Sequence, residues 1–165
     1  MYFIMLSSQP ASAEGMQFHC GAFEGISYID GYGRTENGWL GRSGSGWENY
    51  TIPGDETIIR FSEKSAEIKT KYTEEIWEDY RVDLGADFIW RTAFDPPGLF
   101  TVLVQYPTFP AGGGTSPSGV VTEVFTITSM DFETETAKLL LTTSKSSMQG
   151  AVSRVVAADC EISPF

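Results

Sequence analysis

One histidine and two cysteines are all that this 165-residue chain holds of the side chains most often recruited as metal ligands and nucleophile partners. His19, even with Cys20 beside it, falls short of the three or four ligands a zinc site takes. Nor can one histidine next to a cysteine committed elsewhere complete a Ser/His/Asp or Cys/His set. Positive charge is also scarce: 11 Lys and Arg stand against 22 Asp and Glu, a formal net charge of −11. A chain this acidic repels phosphate backbones and anionic lipid, so neither nucleic acid nor a membrane surface is an expected partner. No apolar run is long enough to span a bilayer. The glycines form neither a "GK[ST]" phosphate loop nor a strand-to-helix "GxGxxG", no repeat period shows, and no small-residue lipobox precedes Cys20. Neither a cofactor nor a metal is expected.

What is present favours strands. A chain of this length forms one domain and buries roughly 70% of its unfolded surface. Gly, Ser, Thr and aromatic residues are plentiful while Lys, Ala and Leu are sparse, a balance that suits strands and turns over helices. At the N-terminus an apolar patch from Tyr2 to Leu6 precedes Ala11-Ser12-Ala13, a small-x-small cleavage pattern. The apolar run is short and no Lys or Arg precedes it. Residues 1–13 therefore read as the remnant of a signal peptide and 14–165 as a single β domain, periplasmic or secreted. Cys20 and Cys160 are the only cysteines and sit near the two ends. A disulfide between them would close almost the whole domain, contributing about 5 kcal/mol on the chain-entropy model. The alternative is two buried free thiols in a cytosolic protein.

From residue 57 onward, short apolar runs alternate with turn residues. "TIIRFS" and "SAEIKTKYT" pair across Glu63-Lys64, and "IWEDYRVDL" reads as a further strand. "DFIWRTAF" and "LFTVLVQY" flank Asp95-Pro96-Pro97-Gly98, a hairpin turn. "PTFPAGGGTSPSG" reads as a long loop. "VVTEVFTITSM", "AKLLLTTS" and "AVSRVVAADCEI" follow as antiparallel neighbours, the first with Val121, Glu123, Phe125 and Ile127 on one face. The fold class is all-β: an antiparallel meander of about seven or eight strands forming a lipocalin-like barrel or a two-sheet sandwich, its termini joined by the disulfide. The likeness to lipocalins is one of architecture only, because their "GxW" near the first strand is absent.

Three stretches could carry chemistry. Residues 30–56 hold seven glycines, two tryptophans, two tyrosines and two arginines and read as loop. There Trp39, Trp47 and Tyr50 could stack on a sugar or flat ligand, with Arg34 and Arg42 as donors; the competing reading has the tryptophans plugging one end of a barrel. Asn49-Tyr50-Thr51 matches a glycosylation sequon. The acids Glu74, Glu75, Glu78, Asp79, Asp83 and Asp87 lack a calcium-loop pattern and read as a solvated strand face with Arg81 as ion-pair partner. Arg91, beside Trp90, is expected outside, since an inward Arg among aromatics needs an anionic ligand or a carboxylate partner. The leading functional expectation is a non-catalytic module for a small ligand or an envelope partner. A hydrolase or isomerase using paired carboxylates such as Glu48, Glu75 or Asp79 is the first alternative, and a structural partner-binding protein the second.

Overall fold

The computed structural model describes residues 15–34, 40–52, 56–62, 65–71, 76–94, 97–109, 116–147 and 150–164. Eleven strands form one antiparallel sheet: β1 (Gly15–Cys20), β2 (Phe23–Arg34), β3 (Leu40–Ile52), β4 (Glu56–Ser62), β5 (Ala66–Lys71), β6 (Trp77–Asp79), β7 (Asp87–Phe94), β8 (Pro97–Thr108), β9 (Gly119–Asp131), β10 (Thr136–Ser147) and β11 (Gly150–Pro164). The order β6-β5-β4-β1-β11-β10-β9-β8-β7 steps through consecutive strands except at β1, which lies between β4 and β11. β2 pairs with β11 as well, and β3 with β2. No helix occurs among the described residues.

β11 organises this arrangement. Residues 160–164 pair with β1 and residues 150–157 with β2, so β1 and β2 lie end to end along one edge of it. Between them the Gly21 amide donates to the Asp159 carbonyl at 3.1 Å. β4 and β3 pair in turn with β1 and β2. At the junction Cys20 stands opposite Cys160, with Cα atoms 4.0 Å apart, and the two are joined by a disulfide. The expected terminus-to-terminus bridge is therefore present, as a cross-strand clasp, and it marks an oxidising, non-cytoplasmic environment.

The sheet curls into a half-barrel whose concave face holds the core. Strict alternation along β11 puts Val156, Ala158, Cys160 and Ile162 inside and Val155, Ala157, Asp159 and Glu161 outside, as a half-buried strand requires. Phe18 on β1 meets Phe61 on β4 and Phe100 on β8, with ring centroids 6.1 and 5.7 Å apart; Phe61 and Phe100 are 5.1 Å apart. β8 lies four strands from β1 in sheet order, so these contacts hold the curl shut where hydrogen bonding does not. Tyr80, just past β6, closes on Tyr106 of β8 and Phe125 of β9, both at 5.7 Å.

Two local expectations need correction. Residues 30–56 are not simply loop: β2 and β3 form a long hairpin through much of them, with a register shift between Ile29 and Gly31. Pairing with β2, itself anchored on β11, overrides the low strand propensity of "GRSGSG". The strand expected across "IWEDYRVDL" stops at Asp79. Asp79 Oδ1 accepts the amides of Arg81 and Val82, the Asp79 amide donates to Asp83 Oδ2, and Gly85 takes a positive φ. Acidic residues read as a solvated strand face instead cap a turn. The eleven strands exceed the expected seven or eight partly because β1–β2 and β3–β4 each continue one another across a break. The barrel is also open, a single curled sheet and not two packed ones.

Candidate functional site: a polar row on the concave face

One line of directly opposed residues crosses the inner face: Glu123 on β9, Thr143 on β10, Arg154 on β11, Ser27 on β2 and Glu48 on β3. Opposed residues in an antiparallel sheet point to the same side. The next line toward the clasp is almost wholly apolar, running Phe125, Leu141, Val156, Gly25 and Tyr50. A shift of two residues along the strands, about 7 Å, thus changes a hydrophobic core into a row of hydroxyl, carboxyl and guanidinium groups.

Glu123 and Ser27 are buried, and Thr143 lies between Glu123 and Arg154. The Thr143 hydroxyl donates to Glu123 Oε1 at 3.1 Å. Burial holds the Glu123 carboxyl above the ordinary glutamate range, against the opposing pull of the Tyr80, Thr143 and Tyr106 hydroxyls and, through space, the Arg154 charge. Glu123 Oε2, Ser27 Oγ and Arg154 Nε are buried without a hydrogen-bond partner among the described residues. Native interiors rarely leave such groups unpaired. The Arg154 guanidinium carbon stands 4.4 Å from the Tyr50 ring centroid, so Tyr50 reaches across β2 to β11. Gly25, beside Tyr50, lies so close to β11 that an added Cβ would collide with the Val155 carbonyl oxygen.

The structure divides the residues singled out in sequence. Tyr50 is on the concave face with Arg154. Trp47, three residues earlier, is on the convex face, 62% exposed and 5.3 Å from the Tyr28 ring, so a single flat ligand cannot stack on both. Arg34 and Arg42 belong to β2 and β3, but their side chains, like those of Trp90 and Arg91, are outside the described residues, as is Trp39 entirely. Glu75 is also outside them. Asp79 is engaged in its turn, and Glu48 is exposed, four strands from Glu123 and about 19 Å away measured along the sheet. Paired-carboxylate glycoside chemistry needs a separation of at most about 9.5 Å. His19 Nε2 lies 2.9 Å from Glu56 on the convex face. Arg81 rests 4.4 Å from the Phe88 ring centroid, and its expected carboxylate pairing does not occur among the described residues. No three His, Cys, Asp or Glu side chains converge among the described residues.

Glu123, Arg154 and Ser27 were not among the sequence candidates. A signal for two of them was present: Glu123 shares a face with Val121, Phe125 and Ile127, and Arg154 shares one with Val152 and Val156. A charged residue on the apolar side of an alternating strand is the informative exception. A second concavity of about 510 Å³ on the convex side is lined by Gly21, Ala22, Glu24, Lys138 and Asp159 among others. There Lys138 and Asp159 already satisfy one another at 2.6 Å. No protein-family model matches the chain, and no curated protein matches it.

Proposed function

We propose that this chain is an exported, non-catalytic binding domain that takes up a small ligand on its concave face, at the row formed by Ser27, Glu123, Thr143 and Arg154 beside Tyr50. The observation that carries the reading is the set of unpartnered polar atoms on three different strands of one inner face. A structural core gains nothing from them, because an unsatisfied buried group costs about 1–3 kcal/mol. A ligand that supplies the missing partners offsets that cost. The position fits as well, since curled β-sheets hold ligands in their mouths, where an apolar floor meets a few polar groups.

The test is a ¹H–¹⁵N NMR screen of the oxidised protein against small metabolites. Binding should move the amide signals of Ser27, Tyr50, Thr143 and Arg154 together. Shifts confined to Tyr28 and Trp47 on the convex face would favour the partner-binding alternative. Export, the other half of the reading, is supported by the disulfide and by Ala11-Ser12-Ala13, residues outside those the structure describes. The intact mass of protein recovered outside the cytoplasm should match a chain beginning at Glu14 and lighter by two hydrogens. A retained Met1 with free thiols would refute this half.

A further inference from the structure

We infer that the ligand of this row is held by a carboxylate group, with Arg154 as its counter-ion and Ser27 and Glu123 as hydrogen-bonding flanks; the inference rests on the concave-face reading above. On the outer surface Arg60, Lys69, Lys71 and Lys138 each have a carboxylate partner. Arg154 faces inward, half-buried, and has none among the described residues. Glu123, one strand beyond Thr143, acts on it through space without pairing with it. A guanidinium taken out of water without an anion loses hydration that stacking on Tyr50 only partly replaces. The chain therefore holds a fixed positive charge whose compensation must come from what binds.

The geometry of the row narrows the anion. Tyr50 covers one face of the guanidinium, and a planar carboxylate pairs with an N–H edge in two parallel bonds without disturbing that stack. Ser27, directly opposite Arg154, can donate its unpartnered hydroxyl to the same carboxylate. Glu48, opposite Ser27, flanks the site, so a dianion would meet more repulsion there than a monoanion does. Burial favours the neutral form of Glu123, and a protonated carboxyl can both donate to and accept from a ligand hydroxyl.

Calorimetric titration of the oxidised full chain with acetate, lactate and benzoate, and with benzamide and inorganic phosphate as comparators, tests the assignment. At least one carboxylate should bind. Arg154→Gln should weaken it about tenfold or more, with Arg154→Lys recovering part of the loss while both variants keep the wild-type melting behaviour. If benzamide binds as tightly as benzoate, or if Arg154→Gln leaves carboxylate affinity unchanged, the carboxylate assignment fails while the concave-face reading survives. Stronger binding of phosphate than of any carboxylate also overturns the assignment. If no probe produces heat and none moves the Ser27, Tyr50 or Thr143 signals, both readings fall.

Discussion

The two halves of the concave face are built on the same strands and obey the same alternation, yet they differ in what they leave unfinished. Around the clasp, Phe18, Phe61, Phe100, Ile59 and Ile68 fill the space between β1, β4, β5 and β8, and the two buried hydroxyls beside them, Thr57 and Thr70, face each other at 3.4 Å. Past the Gly25–Val156 line, Glu123, Ser27 and the Nε of half-buried Arg154 are shut away from water but not mutually satisfied. The first half is closed by its own side chains and a covalent bond. The second has the chemistry of a surface in the setting of an interior. One sheet can thus separate stability from binding by position along its strands, with β11 running through both.

Substitutions can break this division at either end. Phe18→Ala removes a fully buried ring touching two others and should cost about 4 kcal/mol in denaturant unfolding, with amide protection lost throughout the sheet. If only β1 and β4 lost protection, the clasp half would not be the common support proposed here. Gly25→Ala forces β2 away from β11 and should cost about 2–3 kcal/mol. Hydrogen exchange should quicken at Ser27 and Tyr28 while Phe18 and His19 hold; a uniform loss would deny that the halves are separable.

The smallest effect, within about 1 kcal/mol at neutral pH, is expected for Glu123→Gln, and it sharpens the contrast through its pH dependence. The groups facing Glu123 are Tyr80 from the turn after β6, Tyr106 from β8, Thr143 and Lys145 from β10, and Arg154 from β11. Its folded value is raised, so its stabilising contribution is complete below the ordinary glutamate value of 4.5 and is lost as pH climbs through the folded value. The variant should lack that decline and melt higher than wild type on the alkaline side. Glu56 and Asp131, held low by Lys71 and by the Thr134 amide respectively, act in the opposite sense and lose their contribution as pH falls. They are unchanged in the variant, so the difference between the two melting curves isolates Glu123. Identical curves across the alkaline limb would show that burial does not perturb this carboxyl in the folded protein.

Much of the fold was legible because it follows local rules. The strand pairs at residues 57–71 and 87–106 and the final three strands all declare themselves by alternation between turn residues. The disulfide followed from two cysteines with no other partner. Residues 30–56 misled because their strand character comes from pairing, β3 on β2 and β2 in turn on the distant β11, and not from their own side chains. Asp79 and Asp83 misled because a carboxylate that caps a turn looks, in sequence, like one that faces water. The candidate site was legible in a single respect, the charges at positions 123 and 154 on otherwise apolar faces. Reading Trp47 and Tyr50 as one surface failed for a simpler reason: three residues along a strand is an odd number, and odd spacings change sides.

β11 pairs with both β1 and β2, so the first two strands have no sheet neighbour to complete them until residues 150–164 are available. The N-terminal third therefore gains its hydrogen-bonded edge only from the far end of the sequence, through contacts of very long range, and such contacts fold slowly. The Cys20–Cys160 bond, joining residues 140 apart in sequence, waits on the same pairing: until β11 docks against β1, no sheet brings the two thiols face to face.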